Sequence, residues 1–136
     1  MKKKIIISVT TIMLLIGIIL IGKNFIGSKP FKNLTVNEIK CVTVKLMPLN
    51  TETSLEEHEI EDLVDILHEV VIYNEDSSFG EYSGQSVIYT ITKTDDTEIV
   101  INAYNPFIVI NDNGYKTKYE PCEQLNSFGN KLGDTN

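Results

Sequence analysis

The chain has 136 residues, with 12 lysines, no arginine, 19 acidic residues, 2 histidines, 2 cysteines and a formal net charge of −7. That length holds one ordinary domain, and the acidic balance without arginine excludes the clustered basic face that nucleic-acid binding needs. Two cysteines are too few for a disulfide-dense scaffold or a four-thiolate metal site.

Charge divides the chain in two. Lys2, Lys3, Lys4 and Lys23 bracket an uncharged stretch, and no acidic residue precedes Glu38. Without those four lysines the chain carries −11, from eight lysines against nineteen acids. Residues 5–22, IIISVTTIMLLIGIILIG, contain nothing more polar than Ser8, Thr10 and Thr11. As a helix rising ~1.5 Å per residue they reach roughly 27 Å, close to the hydrocarbon thickness of a bilayer. The reading is a transmembrane anchor over 5–22, with residues 1–4 as a cytoplasmic tail. A cleaved signal peptide is the competing reading. It is disfavoured by the length of the apolar run and by the lack of an A-x-A-like site after it.

Lys2, Lys3 and Lys4 with the α-amine are packed more densely than Lys23, Lys29 and Lys32 after the run, a modest bias, and a very short N-terminal tail usually stays cytoplasmic; the expectation is a single-pass cell-membrane protein with the following domain outside. Residues 23–33 read as a stalk, because Gly27-Ser28 is flexible and Pro30 biases Lys29 away from helix. The stalk lysines either meet anionic headgroups or serve only topology and solubility.

Residues 34–132 read as the extracytoplasmic domain, and 133–136 as a frayed tail. Ile39–Met47 alternates, with Val42, Val44 and Leu46 on one face and Cys41, Thr43 and Lys45 on the other, so it is a strand. Leu49–Thr53 is a connection or a short strand. Ser54-Leu55-Glu56-Glu57 has the pattern of a capping box. Ile60, Leu63, Val64, Leu67, Val70 and Val71 follow at helical spacing, which predicts a helix of about 15 residues. Its other face, with Glu61, Asp62, Asp65 and Glu69, is acidic. Val71–Tyr73 is a short strand and Asn74–Gly84 a polar loop.

Gln85–Lys93 is a strand with Val87, Tyr89 and Ile91 on one face and Ile88, Thr90 and Thr92 on the other. Thr94–Thr97 is a hairpin turn, and Glu98–Tyr104 returns with Ile99, Ile101 and Ala103 inward. Phe107–Ile110 is a further apolar run. Asn113-Gly114 is the strongest hairpin-turn signal in the chain, and Tyr115–Tyr119 pairs beyond it. A last helix starts near Glu120, has Pro121 at its first position, and carries Cys122, Leu125, Phe128 and Leu132 on one stripe. Gly129 weakens it and Gly133 ends it. The order β-α-β-β-β-β-β-α predicts a two-layer α+β domain, an antiparallel meander covered by two helices.

Reactive groups do not converge. His58 and His68 lie ten residues apart on one helix, three turns from sharing a metal. No nucleophile motif, P-loop or dinucleotide fingerprint is present, and the loop Asn74–Ser78 lacks the glycine and terminal glutamate of an EF-hand. No enzymatic activity, metal or cofactor is expected. Cys41 and Cys122 are candidates for one disulfide if the domain is outside. The partner-binding candidates are Tyr82, Tyr104, Phe107, Tyr115 and Tyr119, since aromatic side chains offer rigid amphipathic area for recognition.

The segments Glu38-Ile39-Lys40-x-Val42-Thr43-Val44, Tyr82-Ser83-Gly84-Gln85, Ala103-Tyr104-Asn105-Pro106-Phe107 and Gly114–Cys122 carry a resemblance. The chain resembles small uncharacterised membrane-anchored proteins of low-GC Gram-positive bacteria, over nearly the whole of its polar part. That group has no assigned activity. The expectation is a membrane-tethered extracytoplasmic binding or sensor module, without catalysis, for an envelope protein or ligand. The alternative is an inhibitory, immunity-type or envelope-stress protein that binds a basic partner through its acidic helix face.

Overall fold

The period-two segments form one seven-stranded antiparallel sheet, seen in a computed structural model that describes residues 1–134. Its strands are β1 (Ile39–Met47), β2 (Thr51–Ser54), β3 (Ile72–Glu75), β4 (Ser86–Lys93), β5 (Glu98–Tyr104), β6 (Phe107–Ile110) and β7 (Asn113–Thr117). They lie side by side in the order β2-β1-β4-β5-β6-β7-β3. The helices are α1 (Lys2–Ile26), α2 (Glu57–Glu69) and α3 (Tyr119–Asp134). The domain is therefore α+β, as its alternation of periods predicts. Only β4–β7 run as a simple meander. α2 carries the chain from the β2 edge to the β3 edge, across one face of the sheet.

That covered face is the core. Val42, Val44, Val87, Tyr89, Ile91, Ile101, Ala103 and Ile108 are at most 2% exposed and meet Leu63, Leu67, Cys122 and Leu125, all fully buried, from α2 and α3. Burying each large aliphatic side chain contributes roughly 1.5–3 kcal/mol. The Tyr89 hydroxyl, buried with them, donates to the Leu125 carbonyl at 2.6 Å, so the core holds no orphaned phenol there.

Several local expectations change. Ser54 does not cap α2, because it pairs with Thr43 as the last residue of β2. The capping box is formed instead by Glu56 and Glu59, whose carboxylate accepts from the Glu56 amide at 2.8 Å. Asn113-Gly114 is not the turn. Asn111 and Asp112, with φ of 46° and 69°, supply the two positive dihedrals that a tight hairpin requires. Asn113 and Gly114 pair with Ile110 and Val109 inside β7. Gly133 does not end α3, and Gly129 is where the helix lies against the sheet. A Cβ at Gly129 would overlap Val87, and one at Gly133 would overlap Leu46. The tail expected at 133–136 has Gly133 and Asp134 in α3; its last two residues lie outside the described ones.

The stretch read as a stalk belongs in part to the domain. Ser28 and Ile72 exchange two backbone hydrogen bonds of 2.8 Å, which adds a bridge outside β3. Phe31 and Leu34 are buried in the core, and Lys29 pairs with Glu69 at 3.1 Å. Gly27, at φ 69°, takes a conformation that favours glycine, and a Cβ there would crowd Val71.

α1 is helical through the apolar run. Thr10 and Thr11 donate to the carbonyls of Ile6 and Ile7 at 2.8 Å, so their hydroxyls are satisfied within the helix. Its large apolar side chains from Ile5 to Ile19 are 51% to 72% exposed. Among the described residues no helix is long and apolar enough to cross a membrane.

Candidate functional site

Among the described residues no α-helix covers the second face of the sheet. Alternation puts Ile88 and Thr90 of β4, Val100 and Asn102 of β5, and Phe107 and Val109 of β6 on this face, opposite the core residues of the same strands. One row across the strands reads Lys45, Ile88, Asn102, Val109, Gly114.

The loop between β3 and β4 folds onto one part of this face. Asp76 starts a 3₁₀ turn over Ser77–Glu81: its Oδ1 accepts from the Ser78 amide at 2.9 Å and the Ser78 hydroxyl at 2.6 Å. These bonds, with Lys116 3.6 Å away, hold the Asp76 carboxyl below its usual range. The Asp76 amide donates to the Gly114 carbonyl at 2.9 Å. Gly114 has no side chain where Phe79 packs, so the aromatic ring reaches the sheet. Further along, Tyr82 leans on Phe107 with ring centroids 5.2 Å apart.

Beside the loop a cavity of about 390 Å³ opens, lined by Phe79, Ile88, Val100, Asn102, Val109 and Asp112. Four of those residues are apolar. Asn102 Oδ1 is buried and has no hydrogen-bond partner among the described residues. The other such atom, Asn105 Oδ1, lies at the corner between β5 and β6, where its Nδ2 donates to Glu123 at 3.0 Å. A second, smaller cavity of about 120 Å³ shares Phe79 and Asp112 and adds Glu75 and Asp76.

The five aromatic candidates do not form one patch. Tyr82, Tyr104 and Phe107 share the open face, where Tyr104 and Phe107 stand opposite each other in register. Phe107 is 3% exposed and so acts as the floor under Tyr82. Tyr115 points the other way and packs against the core. Tyr119 is exposed at the start of α3.

Cys41 is exposed on the open face, while Cys122, in the first turn of α3, is fully buried in the core. Both are free thiols, and the disulfide considered between them is absent because the sheet stands between the two. Desolvation pushes the Cys122 thiol up to about 12, and its sulfur donates to the Phe107 carbonyl at 3.4 Å. His68 Nε2 lies 2.7 Å from the Leu34 carbonyl, and His58 lies 3.5 Å from Glu56. Among the described residues no group of three or more His, Cys, Asp or Glu side chains is placed to hold a metal ion.

Phe79 was visible in the sequence as a loop aromatic. Ile88, Val100 and Val109 were legible only as the outer face of strands. Their signal was apolar residues on both faces of β4, β5 and β6, which marks strands that expect a cover on each side. Asp112 has no signal of its own, because the sequence puts the turn two residues later, at Asn113-Gly114.

No family model, curated protein or solved structure matches the chain.

Proposed function

We propose that this chain is a membrane-tethered extracytoplasmic binding module that works without catalysis, and that it binds on the open face of its sheet. The observation that carries the reading is the cavity of about 390 Å³ on that face, apolar on most of its wall and floored by strands. Specific sites are concave and mostly apolar, with a few polar groups to orient the ligand. Cys122 is buried in the core, His68 Nε2 meets the Leu34 carbonyl and His58 sits beside Glu56, so these three groups lie away from the cavity wall.

The tether is supported by α1, whose large apolar side chains from Ile5 to Ile19 are exposed among the described residues. A lipid phase is the solvent in which such a surface is stable. The described residues alone give no helix long and apolar enough to cross a membrane, so the proposed span rests on the sequence of residues 5–22, which ends Leu-Ile-Gly. Lysines 2–4 before the run support an outside domain.

The test is capture of a partner after crosslinking membranes that hold the full chain. Val100→Glu with Tyr82→Ala is expected to abolish capture while the thermal melt of the domain persists. Undiminished capture refutes the open face as the binding surface.

A second reading has its own observation. Glu57, Glu61, Asp62 and Asp65 are exposed on α2, and none has an ion-pair partner among the described residues. A basic partner would dock there through screened charges. Its capture should disappear above ~0.3 M salt, where the Debye length falls below about 6 Å.

A further inference from the structure

The open-face cavity has a polarity of its own, and we propose that it takes a small amphipathic cation: an aromatic or aliphatic body carrying a protonated amine. The proposal rests on the binding reading above and names the ligand class for the same site.

Size sets the first limit. A volume of about 390 Å³ falls at the lower end of the ~300–1,000 Å³ typical of small-molecule sites. Phe79, Ile88, Val100 and Val109 form a wall that an apolar body can cover, with Phe79 available to stack on a ring.

Hydrogen bonding sets the second. Asn102 is the one neutral polar residue of the lining, and its Oδ1 lies buried in the wall with no partner among the described residues. Its amide carries both a donor and an acceptor, so it orients a polar head without selecting the sign of its charge.

Charge sets the third. Asp112 stands on the rim, exposed, with no ion pair among the described residues. It is shared with the smaller cavity, where Glu75 adds a second uncommitted carboxylate. Asp76 is already committed to Ser78 and Lys116. The opposing charge is Lys45, which stands across from Ile88 on β1, on the far side of the cavity from Asp112. The ammonium therefore belongs at the Asp112 end, with the apolar body lying towards Ile88. The net charge of −11 outside the four lysines around the apolar run draws cations to the domain before contact.

The test uses the full chain in phosphatidylcholine nanodiscs, with methyl NMR signals of Ile88, Val100 and Val109 as the readout. Three probes share one body: phenethylammonium, 2-phenylethanol and 3-phenylpropionate. The proposal expects saturable shifts with the ammonium, binding of the alcohol weaker by about fivefold, and none of the carboxylate. Asp112→Asn should weaken the ammonium by up to about fivefold, the scale of an exposed ion pair, and Lys45→Ala should strengthen it. Val100→Trp, which fills the cavity, should remove the shifts. Equal binding of alcohol and ammonium overturns the cation while leaving a cavity that binds. Carboxylate binding as tight as that of the ammonium overturns it as well. If none of the three binds, the ligand class is refuted, and the capture experiment with Val100→Glu decides the binding reading separately.

Discussion

Gly129 shows how much one missing carbon sets in this domain. In the sequence it weakens a helix, since glycine in a helix interior loses more backbone freedom than any other residue. In the structure it is where α3 rests on Val87 and on the Tyr89 hydroxyl. Gly129→Ala gains helix propensity and forces an overlap, and the overlap wins. Overpacking of this kind costs about 1–3 kcal/mol, to be read as a lower urea midpoint with an unchanged slope. The two cysteines give a second residue-level expectation. Iodoacetamide should alkylate Cys41 in the native chain at pH 8 and reach Cys122 only after unfolding, and reduction should leave the mass unchanged. A native mass that gains 2 Da on reduction would contradict the free thiols. The raised thiol also has a sign. Its folded value lies near 12 and its ordinary value at 9.0, so the stability it contributes is present below pH 9 and declines as pH rises from there towards 12. The buried Tyr89 phenol, also raised by desolvation, adds to that loss above pH 10.

At the level of elements, the sequence was most legible where apolar spacing is regular and least where a short polar motif had to choose its place. The inward residues of β1, β4 and β5 and the stripes of α2 and α3 follow directly from periods of two and 3.6. Turn chemistry did not place the last hairpin. Asn111-Asp112 and Asn113-Gly114 both suit a tight turn, and Gly114 is needed in β7 so that Phe79 and the Asp76 carbonyl can approach. The capping box moved for a similar reason, because pairing with Thr43 claims Ser54 for the sheet. The stretch with the look of a stalk belongs in part to the domain. Lys29-Pro30 and Gly27-Ser28 have the composition of a linker, and only the fold shows that Ser28 finds Ile72 and that Phe31 finds the core. Phe31→Ala should therefore destabilise the domain by about 3–5 kcal/mol, as deletion of a buried ring does. A free linker would show almost no change in the same melt. The amides of Ser28 and Ile72 should exchange slowly with solvent.

Across the whole molecule most of the charge is acidic, and three carboxyls are hydrogen-bonded in their ionised form. The carboxyls of Glu38, Asp76 and Asp95 are held below their usual values by hydrogen bonds from Thr35, Ser78 and Thr97. Lowered folded values mean that the stability they contribute is present above the ordinary 4.5 and 3.8 and is lost as pH falls through the folded ones. The urea midpoint should be flat from pH 7 to about 5 and drop below 4. The open face of the sheet was half legible. Its alternation was plain, but the cavity depends on Phe79 crossing over Gly114, a contact between distant segments that no local pattern encodes. The most direct test of a tethered module that binds through this face is a photo-crosslinking residue at position 100 of the full chain, in intact cells, compared with the same residue at position 61 on the acidic face of α2. The account predicts an adduct from position 100 alone, recovered with the membranes after an alkaline wash. An adduct from position 61 alone, or a chain released by the wash, would contradict it.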